Sequence, residues 1–136
     1  MDLTESAREV FAADRYASEL TGIKIVRVAE HEATCQLTLD RHHRNARGVA
    51  MGGVLFTMAD FCAAVAANSI CLEEENLHWV SLDSTIHFLS PATGDSLRAT
   101  CKALKSGRTT ALYQTIIESL DNGKTVAIVE TTMMKL

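Results

Sequence analysis

The stretch that decides the fold is NARGVAMGGVLFTMADFCAAVAANSI, Asn45 to Ile70. Gly52 and Gly53 open a long apolar run, and that run carries one carboxylate, Asp60. The pattern predicts a helix over 52–71, apolar nearly all round and therefore covered on most sides. The run is about long enough to span a bilayer. It contains Thr57, Asp60, Asn68 and Ser69, however, and an acid near the centre of a spanning helix is costly. No basic cluster flanks it, so it reads as a buried core helix. Its alanines, Ala59, Ala63, Ala64, Ala66 and Ala67, allow a sheet to approach closely.

Working outward, the rest of the chain supplies that sheet. Residues 23–30 and 32–39 read as strands with His31 in the turn, and the second alternates cleanly: Ala33, Cys35, Leu37 and Leu39 against Thr34, Gln36 and Thr38. Residues 40–50 form a polar loop. Beyond the helix, 78–89 alternates over a long span, with Val80, Leu82, Ile86 and Phe88 on one face. Pro91, the single proline, and Gly94 mark a turn. Strands follow at 95–105, 109–119 and 125–135, joined by turns at Gly107 and Asn122-Gly123. At the front, residues 4–20 read as a helix capped by Thr4 and stopped by Gly22, with Val10, Phe11, Tyr16 and Leu20 as its apolar stripe. The expected architecture is one α+β domain over residues 1–136. Residues 1–22 hold the N-terminal helix, and an antiparallel sheet of five to six strands wraps the central helix. Exposed strand edges and the outer sheet face then favour an oligomer.

Composition narrows the function classes. The chain has 136 residues, a formal net charge of −4 and a pI near 5.7, with Lys and Arg scattered rather than clustered. That argues against a nucleic-acid partner. The N-terminus MDLTESAREVFAADRY has early acids and no apolar signal region, so a cytoplasmic chain with no membrane association is expected. Cys35, Cys62, Cys71 and Cys101 include no C-x-x-C pair and read as reduced core residues.

Asp60 has a structural reading. It can pair with an arginine of the 41–47 loop or sit at the helix surface. Two features favour chemistry instead. Asp60 lies two turns into the helix, beyond reach of the first-turn amides. The helix opens on two glycines, which let a ligand approach free N–H groups, an oxyanion-type site. A carboxylate nearby can orient a water or attack directly. Together these suggest acyl transfer.

These residues carry a family resemblance. NARGVAMGGVLFTMAD resembles the signature of the hotdog-fold acyl-CoA thioesterases, in the phenylacetate-pathway (PaaI-type) branch, with Asn45, Gly48, Gly52, Gly53 and Asp60 at the family's spacing. Residues 80–117 resemble that family's central strands, and the likeness extends over roughly 20–136. The resemblance implies that Asp60 is the nucleophile or general base and that the Gly52 N–H polarises the thioester carbonyl. It implies that Asn45 positions water or thioester and that Ser81 assists the acid. Gly53 and Phe56 would contact substrate, with Lys105, Gly107 and Arg108 near the coenzyme A phosphates. It also implies a dimer with sites shared across the interface, a dimer of dimers beyond that, and no cofactor, coenzyme A being part of the substrate. One position departs: the family's histidine before the two glycines is Met51 here.

Other residues read as structural. By strict alternation Ser81 falls opposite Val80, Leu82 and Ile86, and only a β-bulge or strong twist would turn it toward Asp60. His42 and His43 read as solvated loop residues at the site mouth, Lys102 belongs to a basic hairpin, Phe56, Met58 and Phe61 read as core residues, with Phe56 or Phe61 able to line an acyl pocket, and Trp79 reads as strand packing. No metal-ligand spacing, nucleophile elbow, phosphate loop or dinucleotide fingerprint occurs. The competing functions are a non-catalytic acyl-CoA binder, suggested by Met51, and a hydratase, disfavoured by the missing histidine motif.

Overall fold

The computed structural model describes residues 2–136. Helix α1 (Leu3–Phe11) leads into a single π-helical turn, Tyr16–Thr21. Strands β1 (Lys24–Ala29) and β2 (Glu32–Thr38) follow, then a 3-10 turn at Arg41–His43 and the central helix α2 (Gly52–Ala67). Strands β3 (Trp79–Phe88), β4 (Ser96–Ser106), β5 (Thr110–Ser119) and β6 (Thr125–Lys135) complete the chain. All six strands form one antiparallel sheet in the order β1-β2-β4-β5-β6-β3. The sheet curls around α2, as the sequence predicts.

The core is the helix–sheet interface. Met58, Phe61, Cys62 and Val65 of α2 bury against Cys35, Leu37, Ala99, Tyr113, Ile117 and Val129 of the sheet. Each large apolar side chain buried there contributes about 1.5–3 kcal/mol. The alanines do what their size allows: the helix sits close enough for Cys62 Sγ to lie 3.4 Å from the Ala33 carbonyl oxygen. All four cysteines are buried and free. Burial pushes the Cys101 thiol up to about 12, and the neighbouring Cys35 thiol and burial raise Cys62 as well. Thiols held protonated in the core are not nucleophiles. No helix among the described residues is long and apolar enough to cross a membrane.

Three expectations need correction. The N-terminal segment is not one helix over 4–20. Asp2, not Thr4, caps α1 by accepting from the Glu5 N–H at 2.8 Å. The helix stops at Phe11, so Tyr16 and Leu20 are exposed rather than part of an apolar stripe. What anchors α1 is Phe11, stacked edge-to-face on Phe61 at 5.8 Å. Thr4 instead accepts from the Val28 N–H at 3.0 Å.

The central helix ends at Ala67, not at 71. Asn68 folds its side chain back, its Nδ2 donating to the carbonyls of Ala64 and Trp79 while its Oδ1 accepts from the Trp79 N–H. A short amide side chain that competes for backbone partners ends a helix.

In β3 the expected face is only half right. Leu82 is bulged out between Ser81 and Asp83. Residues paired across an antiparallel ladder share a face. Ser81 pairs with buried Met133, while Ser84, Ile86 and Phe88 pair with buried Thr131, Val129 and Ala127. The core face therefore carries Trp79, Ser81, Ser84, Ile86 and Phe88. Val80 and Leu82 leave it and are exposed.

The two sheet edges differ. Edge β1 is blunted by α1: Arg8 Nε donates to the Ile25 carbonyl at 2.9 Å and Thr4 Oγ1 receives the Val28 N–H. Edge β3 has ten residues and no such cover among the described residues. Beside it lies an exposed stripe of α2, Gly53, Phe56 and Asp60, at the spacing of one helix face. Phe56 belongs to that stripe and not to the core.

Candidate active site

The bulge at Leu82 brings Ser81 to Asp60. Ser81 Oγ donates to Asp60 Oδ1 at 3.0 Å, with Met133 Sδ at 3.6 Å beneath the hydroxyl. Asp60 makes no ion pair among the described residues, and it is exposed at the helix surface. The lone acid of the apolar helix is thus neither buried nor neutralised. It stands on the open α2–β3 face with its Oδ2 oxygen available.

The other half of the predicted site lies at the start of α2. Met51 occupies the N-cap without a side-chain hydrogen bond. Its carbonyl accepts from the Val54 and Leu55 amides. The N–H groups of Gly52 and Gly53 have no hydrogen-bond partner among the described residues. With no Cβ, Gly52 lets the Phe88 ring lie over it: a Cβ there would stand 3.1 Å from Phe88 Cζ. Asn45, Gly52, Leu55, Phe88, Leu89 and Pro91 line a 370 Å³ cleft at this helix end. Asn45 Oδ1 accepts from the Arg47 and Val49 amides at 2.9 and 3.3 Å, so it organises its own loop. A second cleft, between α1 and β1, includes none of Asn45, Gly52, Asp60 and Ser81.

Within one chain the two halves are apart. Asp60 follows Gly52 by eight residues, a displacement of about 12 Å along the axis at 1.5 Å per residue. A single carbonyl cannot touch both. The sequence-predicted residues therefore form two clusters, Asp60 with Ser81 and Gly52 with Asn45, at opposite ends of the α2–β3 face. Gly53 and Phe56 lie between them.

The β4–β5 hairpin is a third, separate element. Lys105 and Arg108 are exposed at its tip, and Gly107 donates its N–H to the Thr110 carbonyl at 2.9 Å. A Cβ on Gly107 would fall 2.5 Å from that oxygen, so the glycine is demanded by the turn itself. Thr110 pairs with Met134 and Met134 with Val80, which puts the hairpin about 10 Å, two strand spacings, from the Ser81 end of β3.

His43 is the residue that the sequence misplaces. His42 is solvated as expected, but His43 is buried, its ring held between the Asp40 N–H and the Thr21 carbonyl. The available signal was the Asp40-x-x-His43 spacing, that of a reciprocal helix cap.

Comparison with known proteins gives the family and the fold. Residues 47–126 match the model of the thioesterase superfamily. The chain is 30% identical over 130 residues to acyl-coenzyme A thioesterase 13 of Homo sapiens, covering 92% of this chain and 91% of that one. It is 33% identical over 125 residues to the acyl-coenzyme A thioesterase PaaI of Escherichia coli K12, covering 91% and 84%. The solved PaaI protein from the phenylacetic acid degradation operon of E. coli superposes with a TM-score of 0.83 at 27% identity, covering 99% and 96%. Together with the wrapped-helix architecture, these similarities identify the hotdog fold.

Proposed function

The chain belongs to the thioesterase superfamily and is an acyl-CoA thioesterase, and from that premise we propose that it hydrolyses its substrate at sites shared between two copies of itself. The observation that carries this reading is the separation of the Asp60–Ser81 pair from the Gly52 amide on a face left open beside an uncovered strand edge. A two-fold axis that pairs β3 with β3 of a second copy runs the strands antiparallel. The Ser81 end of one strand then meets the Phe88 end of the other. Asp60 of one chain comes to the Gly52–Asn45 cleft of its partner, and the exposed stripe of α2 is covered.

In that site the Gly52 N–H, at the positive end of α2, donates to the thioester carbonyl oxygen. Ser81 holds Asp60 Oδ1, which leaves Oδ2 to take a proton from water. The water oxygen bonds to the acyl carbon, and negative charge collects on the oxygen facing Gly52. Collapse breaks the carbon–sulfur bond. The products are a free carboxylic acid and coenzyme A, whose thiolate takes up a proton. Asn45 orients the thioester or water, and Gly53 and Phe56 line the path. Lys105 and Arg108 attract the coenzyme A phosphates, with Gly107 shaping their turn. The half-buried outer sheet residues Leu112, Ile116, Ile128 and Met134 suit a further contact, giving a dimer of dimers. Coenzyme A enters as substrate, and the protein supplies no cofactor of its own.

The test is a panel of acyl-CoA esters with a thiol-trapping reagent, wild type beside Asp60→Ala. Thiol release by wild type and its near-complete loss in the variant are expected. Tight acyl-CoA binding with no thiol release would instead mark a binding protein. A single turnover in ¹⁸O-labelled water tests the nucleophile role of Asp60: an unlabelled first product, with the label left on the Asp60 carboxylate, supports a nucleophile whose anhydride is opened at the aspartyl carbon.

A further inference from the structure

Helix α2 has no side-chain cap at Met51, so something else must fix the direction of its first amides. The segment leading into it is a short two-rung ladder. Met51 donates its N–H to the His43 carbonyl at 2.8 Å, and Arg44 bridges Ala50 in antiparallel register. The loop closed by that ladder carries Asn45, and Gly52 follows directly. Both residues proposed to meet the thioester at this end thus sit on the ladder that starts at His43.

Besides the Ala50 N–H bond to the Ala92 carbonyl and the Arg44 guanidinium on Gly94 and Asp95, what ties the ladder to the body of the protein is the His43 ring. Its Nδ1 accepts from the Asp40 N–H at 2.9 Å, so in the neutral ring the proton sits on Nε2. Nε2–H then donates to the Thr21 carbonyl at 2.7 Å. Thr21 ends the π-helical turn, whose Gly22 is held in a left-handed conformation at φ 87°. The imidazole is buried while its neighbour His42 is exposed. Both ring nitrogens are therefore spent on backbone groups from two different segments, and the main-chain oxygen is spent on a third.

We propose that His43 is a positioning residue for the thioester-polarising end of α2: its Nε2–H bond to Thr21 fixes the ladder that aims the Gly52 amide and places Asn45. This rests on the hydrolytic reading above for its kinetic consequence, but not for the structural one. The device that orients the helix start is not a side chain on the cap but one packed behind it.

The test compares His43→Ala and His43→Gln with wild type in two readouts. The first is the amide ¹H–¹⁵N resonances of Gly52 and Gly53, with Gly123 as a distant control. The second is kcat and KM on the best acyl-CoA of the panel. His43→Ala is expected to shift the Gly52 and Gly53 resonances but not that of Gly123. It should lower kcat by about ten- to a hundredfold, as misplaced catalytic groups do, with KM changed far less. His43→Gln retains an N–H donor and should recover a large part of both. Unmoved Gly52 and Gly53 resonances in His43→Ala would overturn the proposal. So would a Gln variant that folds like wild type yet recovers neither readout. If wild type releases no thiol from any ester, the hydrolytic reading fails, and the resonances alone decide the positioning role.

Discussion

Ser81 reaches Asp60 only because Leu82 is bulged out of β3: the hydroxyl donates to Oδ1 at 3.0 Å from the same face as buried Met133. The bond holds one carboxylate oxygen and the rotamer of the acid. Ser81→Ala is expected to reduce kcat by about tenfold, in the range of general-base positioning effects, with a smaller change in KM. Asp60→Ala should abolish turnover. Both side chains are exposed, so neither change should alter stability by more than about 0.5 kcal/mol. Steady-state kinetics beside thermal melts check all four expectations. A serine variant with wild-type kcat would remove Ser81 from the site.

Met51 offers a trade between stability and activity. Its backbone is extended, φ −65° and ψ 140°, as an N-cap requires, but its side chain accepts no bond. Met51→Asn supplies an oxygen that accepts from the second or third helical amide, Gly53 or Val54. The cap should add about 1 kcal/mol, a rise of about 4 °C in Tm for a domain of this size. The same side chain crowds the helix end where the substrate carbonyl meets the Gly52 N–H. We expect kcat to fall by about tenfold, toward the cost of losing one oxyanion donor. A variant that gains stability and keeps full kcat would show that a cap on Gly53 or Val54 leaves the Gly52 N–H open to the substrate oxygen.

Asp121 makes stability depend on acid pH. Its Oδ2 accepts from the Asp95 and Ser96 amides at 2.8 and 3.1 Å, clamping the β5–β6 turn to the start of β4. Those backbone bonds, that of Ser96 foremost, hold the carboxyl below its ordinary value. A depressed folded pKa means stability that is present above the unfolded value, about 3.9, and lost as pH falls through the lower folded one. Asp121→Asn should therefore melt below wild type at pH 7, with the gap closing below about pH 4. Gly94 faces the same carboxylate, and a Cβ there would stand 2.1 Å from Oδ2. Gly94→Ala should release the clamp and reproduce the neutral-pH loss. Parallel melting curves across pH test both.

How much of this was legible in the sequence differs from element to element. The start of α2 was plain because Gly52-Gly53 breaks sharply from a polar loop into an apolar run. Its end was not, because Asn68 reads as a tolerable helix residue until Trp79 is beside it to bond. The strands beyond α2 announced themselves by alternation. A bulge, however, leaves no mark on alternation, so pattern sets Ser81 on the wrong face and only the resemblance sets it beside the acid. The break after Phe11 has no glycine or proline to signal it. His43 hid in a stretch whose polarity suggested solvent. Periodicity reports which faces are apolar, and it is silent about polar side chains that bury themselves by bonding to backbone.

The shared site makes the strongest claim on the assembly, and complementation between inactive chains tests it. Asp60→Ala retains Asn45 and the Gly52 amide, while Asn45→Ala retains Asp60 and Ser81. If each site draws on both copies, each homodimer is inactive at both sites. A mixed dimer pairs the intact Asp60 of one chain with the intact Asn45 of the other at one site and both defects at the second. After unfolding and refolding an equal mixture, half the dimers are mixed, each with one working site. The mixture should then recover about a quarter of wild-type activity, as two-fold symmetry requires. If all the groups instead acted within one chain, no mixture would exceed the residual activity of its components, and the 12 Å or so between Gly52 and Asp60 along α2 would have to be closed by some other movement.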